Sequence, residues 1–249
     1  DAYNLLLQND KNVVIGGGAW LRLGNKEIDT VVSLDLLGLD TITETKDTIV
    51  IGSMTTLRDI ETSSILQNQM SGILTESVKQ IMGVQIRNIA TIGGSIAGKY
   101  SFSDILPVLL VMNTTLRFHK QGDITLSDFI KQKKMDPDIL VSILIQKESG
   151  KAYFQKVAKT ILSFALLNIA ISNCTEYKIQ IGARPGSVKP ATKACAYLNS
   201  CTTVTDVEIK NAVELALDEL SVSSNSKASK EYREDLLRVY LTRGLKEVM

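Results

Sequence analysis

The chain has 249 residues, 44% hydrophobic and 22% charged, which is enough for one large soluble domain or two modest ones. Its 28 basic and 27 acidic residues leave a net charge of +1, which argues against nucleic acid or a membrane surface as the main partner. No apolar run approaches the ~20 residues that span a bilayer, and the first residues lack the basic segment of a signal peptide. We therefore expect a cytoplasmic protein. Because the chain starts at Asp1 and not at Met, we also expect that its true N-terminus is missing.

The apolar pattern of the first 150 residues alternates between short helices and strands. Helices are predicted over residues 1–9, 55–66, 71–82 and from about 105. The second is capped by Thr55 or Thr56, and the last has Pro107 in its first turn. Strands are predicted at 13–15, 30–37, 47–54, 138–146 and, as a pair, within 114–129. The glycine-punctuated segment 84–98 is interpreted as an irregular loop over a ligand.

A polar, glycine-containing stretch at 147–151 marks a domain boundary, and the pattern changes after it. Strands are predicted at 152–158 and 177–183, with a strand or helix at 163–173. Helices follow at 188–200 and 205–220, the second capped by Thr205 or Asp206. A polar loop then leads into a closing helix over 230–248.

The sequence contains little that supports metal binding or nucleophilic catalysis. The spacing of Cys174, Cys195 and Cys201 fits no zinc or iron–sulfur pattern, and the single histidine, His119, has no partner motif. We predict structural thiols in a reducing compartment, no metal site and no catalytic side chain.

The first glycine cluster, Gly16 to Gly18, directly follows the apolar run Val13 to Ile15. Such a turn can expose backbone N–H groups to a phosphate, or it can simply be a tight strand connection that needs positive φ. The spacing of a Rossmann fingerprint is absent, and no Gly-Lys-Ser/Thr of a P-loop follows. The cluster alone leaves both interpretations open.

The second cluster combines glycines with hydroxyl groups and is the stronger signal. It contains Thr91, Gly93, Gly94 and Ser95, and both hydroxyl and N–H groups donate to phosphate oxygens. Two such turns in one domain could hold a pyrophosphate from both sides. The sequence therefore favours a dinucleotide cofactor.

Three further residues have a functional and a plain structural interpretation. Asp104 follows the second cluster and either accepts hydrogen bonds from sugar or ribityl hydroxyls or caps the next helix. Lys156 lies in a predicted strand, where its position alone favours a solvated side chain. Trp20 follows the first cluster, and statistics favour the core over packing on a cofactor.

Taken in order, several motifs resemble the FAD-binding domain of the xanthine dehydrogenase family, which also occurs as the medium subunit of carbon monoxide dehydrogenase and related molybdenum hydroxylases. They are VVIGGGAWL, IVIGSMTTLRDIE, QIRNIATIGGSIAG with SDILP behind it, AYFQKVA and the terminal ASKEYREDLLRVYLTRGL. The resemblance implies an α+β fold. A two-subdomain FAD-binding domain, similar to those of the PCMH and vanillyl-alcohol-oxidase type, would occupy 1–148, with subdomains of about 1–54 and 55–148. A C-terminal domain over 149–249 would contain a three-stranded antiparallel sheet with helices.

The resemblance also implies cofactor contacts. The first pyrophosphate loop would consist of Val13, Val14, Ile15, Gly16, Gly17, Gly18, Ala19 and Trp20, and the second of Thr91, Gly93, Gly94 and Ser95. Asp104 would bond the hydroxyls of FAD, Ile81 would lie near the flavin nucleotide, and Lys156 near the flavin ring system.

By the same resemblance, this is an oxidoreductase subunit that does not oxidise an organic substrate alone. Molybdopterin and two [2Fe–2S] clusters would reside in partner subunits, and FAD would pass electrons to NAD or another acceptor. The chain departs from the family at Gly18 and Ala19, where Thr-Asp is usual, and at Lys99 and Tyr100 after the second loop. Two alternatives stay open: a scaffold subunit that has lost FAD, and a free-standing flavin oxidoreductase.

Overall fold

The computed structural model describes residues 1–249 and contains eleven α-helices and eleven strands. The helices are α1 (Ala2–Leu7), α2 (Leu57–Thr62), α3 (Ser64–Gln67), α4 (Ile73–Lys79), α5 (Val84–Arg87), α6 (Ile92–Ala97), α7 (Leu106–Val111), α8 (Leu126–Lys131), α9 (Thr192–Ser200), α10 (Asp206–Glu219) and α11 (Lys230–Val248). The strands are β1 (Val13–Ile15), β2 (Val31–Ser33), β3 (Ile42–Glu44), β4 (Thr48–Gly52), β5 (Thr114–Phe118), β6 (Gly122–Thr125), β7 (Leu140–Gln146), β8 (Lys151–Val157), β9 (Leu167–Asn173), β10 (Tyr177–Gly182) and β11 (Lys189–Pro190).

The strands form three sheets. Strands β1 and β2 pair in parallel, with Val13 opposite Val31. A five-stranded antiparallel sheet has the order β3-β4-β7-β5-β6, so it joins strands from both sides of residue 54. The C-terminal sheet, β11-β10-β9-β8, consists of three long antiparallel strands and a two-residue edge strand. This mixed α+β architecture, with a C-terminal sheet and helices, confirms the predicted fold class.

Strand β9 shows how the C-terminal sheet joins the rest of the molecule. Six of its seven residues are buried, because α11 packs against it on one side and α7 also contacts it. On the α7 side, the Ser172 hydroxyl donates to the Val111 carbonyl at 3.1 Å. On the α11 side, Gly244 lies so close to Tyr153 and Ile171 that a β-carbon there would clash with both side chains. Strand β9 therefore lies between the two regions.

Two hydrophobic cores correspond to this division. The larger one lies against the five-stranded sheet and includes Ile49, Leu74 and Leu109. The second one fills the space between the C-terminal sheet and helices α9 to α11, and it includes Ile169 and Leu241. No helix in the structure combines the length and apolar character needed to cross a membrane.

The segment 84–98 is not the irregular loop that its glycines predicted. It forms two short helices, α5 and α6, and the second is capped at Thr91, whose hydroxyl accepts the Gly94 N–H at 3.2 Å. The prediction was wrong because a side-chain cap and burial of Ile92 and Ile96 stabilise α6 despite the low helix propensity of glycine.

Smaller differences concern element boundaries. The strand predicted at 30–37 ends at Ser33 and continues as a 3₁₀ turn, and β3 was not predicted at all. The segment 163–173, left open between strand and helix, is a strand over its last seven residues. The helix predicted at 188–200 begins only at Thr192, since Pro190 lies in β11.

Candidate cofactor-binding cavity

The two glycine clusters line one cavity of about 390 Å³, within the ~300–1,000 Å³ range of ligand sites. Hydrophobic residues make up 16 of the 27 that line it. Fourteen of the fifteen predicted site residues are among them: Val13, Val14, Ile15, Gly16, Gly17, Gly18, Ala19, Trp20, Ile81, Thr91, Gly94, Ser95, Asp104 and Lys156. The exception is Gly93, which is buried behind the cavity wall.

Residues 16–20, which we call the donor loop, have backbone N–H groups without partners in the chain. None of the five residues from Gly16 to Trp20 donates its N–H to a backbone or side-chain acceptor. Gly18 has φ +67°, a conformation that glycine adopts without strain. Unpaired N–H groups on residues that line a cavity are suited to bind an anion such as phosphate.

The donor loop lies directly against residues 89–91, and glycine makes this possible. A β-carbon on Gly17 would overlap the carbonyl of Ile89, and one on Gly16 would overlap the Thr91 hydroxyl. Both glycines are therefore required by the close approach of two segments that are far apart in sequence.

Residues 91–95, which we call the capped turn, use most of their donors internally. The Gly93 N–H donates to the Ser53 carbonyl at 2.9 Å, and the Ser95 N–H donates to the Thr91 carbonyl at 3.0 Å. A β-carbon on Gly93 would come within 2.5 Å of that Ser53 oxygen, so this glycine serves packing. The Thr91 hydroxyl accepts from Gly94 but donates to no group in the chain, so its proton is left for a ligand.

Asp104 and Lys156 form a buried ion pair at the cavity. Lys156 Nζ lies 2.9 Å from Asp104 Oδ2, and the side chains are only 6% and 7% exposed. The other carboxylate oxygen accepts from Asn168 Nδ2 at 2.8 Å. Burial raises the pKa of Asp104, while the Lys156 ammonium and the Asn168 amide oppose that rise.

This geometry overturns two of the plain structural interpretations. The solvated position that the strand pattern favoured for Lys156 is wrong, because a long-range partner on another element draws its side chain inward. Asp104 does not cap α7, since the Leu106 N–H donates to the hydroxyl of Ser103 at 3.2 Å.

Four aromatic rings line another part of the cavity wall. Trp20 is 40% exposed, so its predicted core position is wrong. Its ring lies 5.6 Å from Tyr100, 5.5 Å from Phe102 and 5.8 Å from Phe164, measured between centroids. Phe102 and Phe164 were not predicted as site residues, because they come from loops separated by some sixty residues whose proximity depends on the tertiary fold.

The two residues that depart from the family pattern, at positions 99 and 100, have side chains in different environments. Tyr100 faces the cavity, stacked on Phe102 with ring centroids 5.2 Å apart. The Lys99 ammonium instead donates to the carbonyls of Phe129 and Gln132, outside the cavity lining.

Together these residues fit a dinucleotide. The donor loop offers N–H groups to phosphates, the Thr91 hydroxyl adds a donor, and apolar and aromatic side chains can enclose planar rings. No three His, Cys, Asp or Glu side chains in the structure lie together in an arrangement that could hold a metal ion.

Comparison with known proteins agrees with this fit. Residues 1–145, more than half of the chain, match the family described as the FAD binding domain in molybdopterin dehydrogenase. The chain belongs to this family. Residues 152–248 match the CO dehydrogenase flavoprotein C-terminal domain. The expected family is thus confirmed, and membership makes FAD the cofactor and the chain an oxidoreductase subunit of the molybdenum hydroxylase type.

Individual relatives match over very different lengths. The chain is 24% identical to the xanthine dehydrogenase FAD-binding subunit of Escherichia coli O157:H7, covering all of this chain and 92% of that subunit. It is also 24% identical to the nicotine 6-hydroxylase medium subunit of Paenarthrobacter nicotinovorans, covering 99% and 93%. It is 35% identical to aldehyde oxidase 2 of Cavia porcellus over 34% of this chain, but it spans only 7% of that protein's length.

Solved structures show the same fold. A chain of the reconstituted CO dehydrogenase from Oligotropha carboxidovorans superposes with a TM-score of 0.89 at 22% identity, covering all of this chain and 93% of that one. A chain of quinoline 2-oxidoreductase from Pseudomonas putida 86 superposes with a TM-score of 0.86 at 20% identity.

Proposed function

We propose that this chain is an electron-transfer subunit that holds FAD in the cavity between the donor loop and the capped turn. In this proposal a partner subunit with [2Fe–2S] clusters delivers electrons that a molybdopterin subunit has removed from an organic substrate. NAD, or another acceptor, then takes them. Two relatives that match over nearly their full length are named as an FAD-binding and a medium subunit, which supports this division of labour.

One observation carries the proposal: a single cavity unites five unpartnered backbone N–H groups with Asp104, Lys156 and apolar walls. FAD bound there would supply the capacity to accept and release one or two electrons. The chain's own residues would bind and orient it. The donor loop would hold the phosphates, and the apolar walls would exclude water from the ring system.

Three polar residues of the cavity have distinct proposed roles. The Thr91 hydroxyl would donate to a phosphate oxygen. Asp104 would accept from cofactor hydroxyls with the lone pairs that Lys156 and Asn168 leave free. Lys156 would place a positive charge near the flavin ring. We propose no side-chain acid or base for this chain.

The test uses Trp20, the only tryptophan of the chain, which lies in the cavity wall. FAD should quench its fluorescence with a saturable, one-to-one titration. Riboflavin, which lacks phosphates, should bind at least about tenfold more weakly, because it makes no contact with the donor loop. A Trp20→Phe variant should retain flavin through gel filtration but show no tryptophan quenching.

The possible outcomes separate the alternatives. If FAD neither quenches Trp20 nor remains with the purified chain, the proposal fails and the scaffold interpretation replaces it. If the flavin-loaded chain oxidises an organic substrate without partners, it is a free-standing oxidoreductase. Bleaching of the bound flavin's visible absorbance by NADH would support NAD as the acceptor, and its absence would point to another acceptor.

A further inference from the structure

The turn between α4 and α5, residues 80–82, is held by side-chain cations at three successive carbonyl groups. Lys156 Nζ donates to the Gln80 carbonyl at 2.9 Å. Arg87 Nη1 donates to the carbonyls of Ile81 at 3.0 Å and Met82 at 3.1 Å. The FAD contacts expected from the sequence do not include Arg87, although it is part of the QIRN motif.

The Arg87 side chain is itself held in place by the carboxylate of Glu61. That side chain is only 9% exposed, and its Nε and Nη2 atoms donate to the two carboxylate oxygens of Glu61 at 2.8 and 3.2 Å. This paired geometry leaves the guanidinium a single orientation, which is the property that distinguishes arginine from lysine at such a site. Arg58, 43% exposed, also contacts Glu61 at 2.8 Å but donates to no carbonyl of the turn.

The turn needs such support because its backbone is strained. Met82 has φ +45°, a left-handed conformation that residues with a β-carbon rarely adopt. Two cations from different regions, Arg87 on α5 and Lys156 on β8, approach its carbonyls. The hydrogen bonds from Arg87 and Lys156 therefore maintain the strained conformation of Met82.

The side chains of this turn form part of the cavity wall. Both Ile81 and Met82 line the cavity, together with Lys156. A change in the turn would therefore alter the surface presented to a bound planar ring. An apolar residue at position 87 could not orient two carbonyls, and it would leave the Glu61 carboxylate with only the exposed Arg58 as a partner, so a loss of stability has to be measured separately from an effect on the wall.

We propose that Arg87 is a positioning residue of the flavin site, holding the turn 80–82 so that Ile81 and Met82 form a rigid apolar wall against the bound cofactor. Glu61 orients Arg87, and Lys156 holds the turn from the C-terminal sheet. This inference rests on the proposed function, because the wall has this role only where FAD occupies the cavity.

The experiment compares Arg87→Met with the matched control Arg58→Met in the full chain. Three quantities are measured: the Kd for FAD from Trp20 quenching, the visible circular dichroism of the bound flavin, and the melting temperature without FAD. Arg87→Met should raise the Kd about tenfold or more and change the flavin dichroism. Arg58→Met should leave the Kd and the dichroism unchanged. Arg87→Lys should be intermediate, because an ammonium cannot reproduce the paired contact with Glu61 while also holding both carbonyls.

Each result has a defined meaning. If Arg87→Met lowers only the melting temperature while its Kd and dichroism match wild type, Arg87 is purely structural and the inference is overturned. Should Arg87→Met fail to fold, Arg87→Lys and Glu61→Gln provide the same comparison, and wild-type flavin dichroism in both would contradict the inference. A wild-type chain that binds no FAD would overturn the proposed function and this inference together, whereas the variants alone decide the inference when wild type binds.

Discussion

The donor loop and the capped turn are both rich in glycine, yet they use their backbone donors in opposite ways. From Gly16 to Trp20 no N–H has a partner in the chain. From Gly93 to Ser95 every N–H is already paired, with Ser53 or Thr91. The contrast shows that glycine in a cofactor-binding motif can serve two purposes, exposing donors in one segment and permitting close packing in the other.

Two further polar residues of the cavity wall, Asp104 and Lys156, resemble the capped turn in this respect. The ion pair of Asp104 and Lys156 is satisfied internally, as the capped turn is. We therefore expect substitutions at the most buried positions of this paired part, Lys156 and Gly93, to lower the stability of the folded chain. Substitutions in the donor loop should lower FAD affinity more than their controls do.

The largest effect is expected for Lys156→Met. It leaves the buried Asp104 carboxylate without its counter-charge, which should cost about 3–5 kcal/mol in the free energy of unfolding at pH 7. Urea denaturation measures this. Lys193→Met, which breaks an exposed pair with Asp218, is the control and should cost no more than ~1 kcal/mol. Equal costs for the two variants would show that the buried pair is not structural.

Next comes a matched pair of alanine substitutions in the capped turn. Gly93→Ala forces a β-carbon against the Ser53 carbonyl and should lower the free energy of unfolding by about 1–3 kcal/mol. At Gly94 the nearest atom is the Thr91 hydroxyl at 3.2 Å, a side-chain contact that a small shift relieves, so Gly94→Ala should cost less stability than Gly93→Ala. Because Gly94 lines the cavity, its added β-carbon should weaken FAD binding. Thermal melting and FAD titration separate the two effects. The assignment fails if both variants show the same profile.

The donor loop is tested by Gly18→Ala. Its φ of +67° makes alanine strained there, by about 1–2 kcal/mol. Gly38→Ala is the control, because Gly38 has φ +63° with open space around it and lies outside the cavity lining. Both variants should lose stability, with a further small cost at Gly18, where the β-carbon would lie 3.1 Å from Ile15 Cδ1, but only Gly18→Ala should weaken FAD binding. Equal FAD affinities would argue against phosphate binding by this loop.

The smallest effect is expected in the pH dependence of stability. Because burial raises the pKa of Asp104, the folded chain holds that proton more tightly than the unfolded chain does. The carboxyl's contribution to stability is therefore complete below its unfolded pKa of about 4 and falls as the pH rises through the folded value. Asp104→Asn should remove this decline, measured by denaturation between pH 4 and 8. A decline of equal size in the variant would assign it to other groups.

Much of this fold could be predicted from the local sequence. Thr56 caps α2 with Asp59 in a capping box, and Thr205 with Glu208 does the same for α10, as the residue types indicated. Segment 84–98 was mispredicted because glycine content alone does not reveal a cap and buried neighbours. The aromatic cluster was missed because Phe164 meets Trp20 only after the chain has folded.

The sequence by itself determined where glycine and hydroxyl residues lie beside apolar strands, and hence that two turns could line a cofactor site. These are properties of neighbouring residues, and local backbone preferences fix them. Only the tertiary structure decided which donors stay free and which charges are paired. The Gly93 N–H is taken by Ser53, and Asp104 meets Lys156, 52 residues away. Hydrogen bonding and burial depend on such distant partners, so no local pattern can specify them.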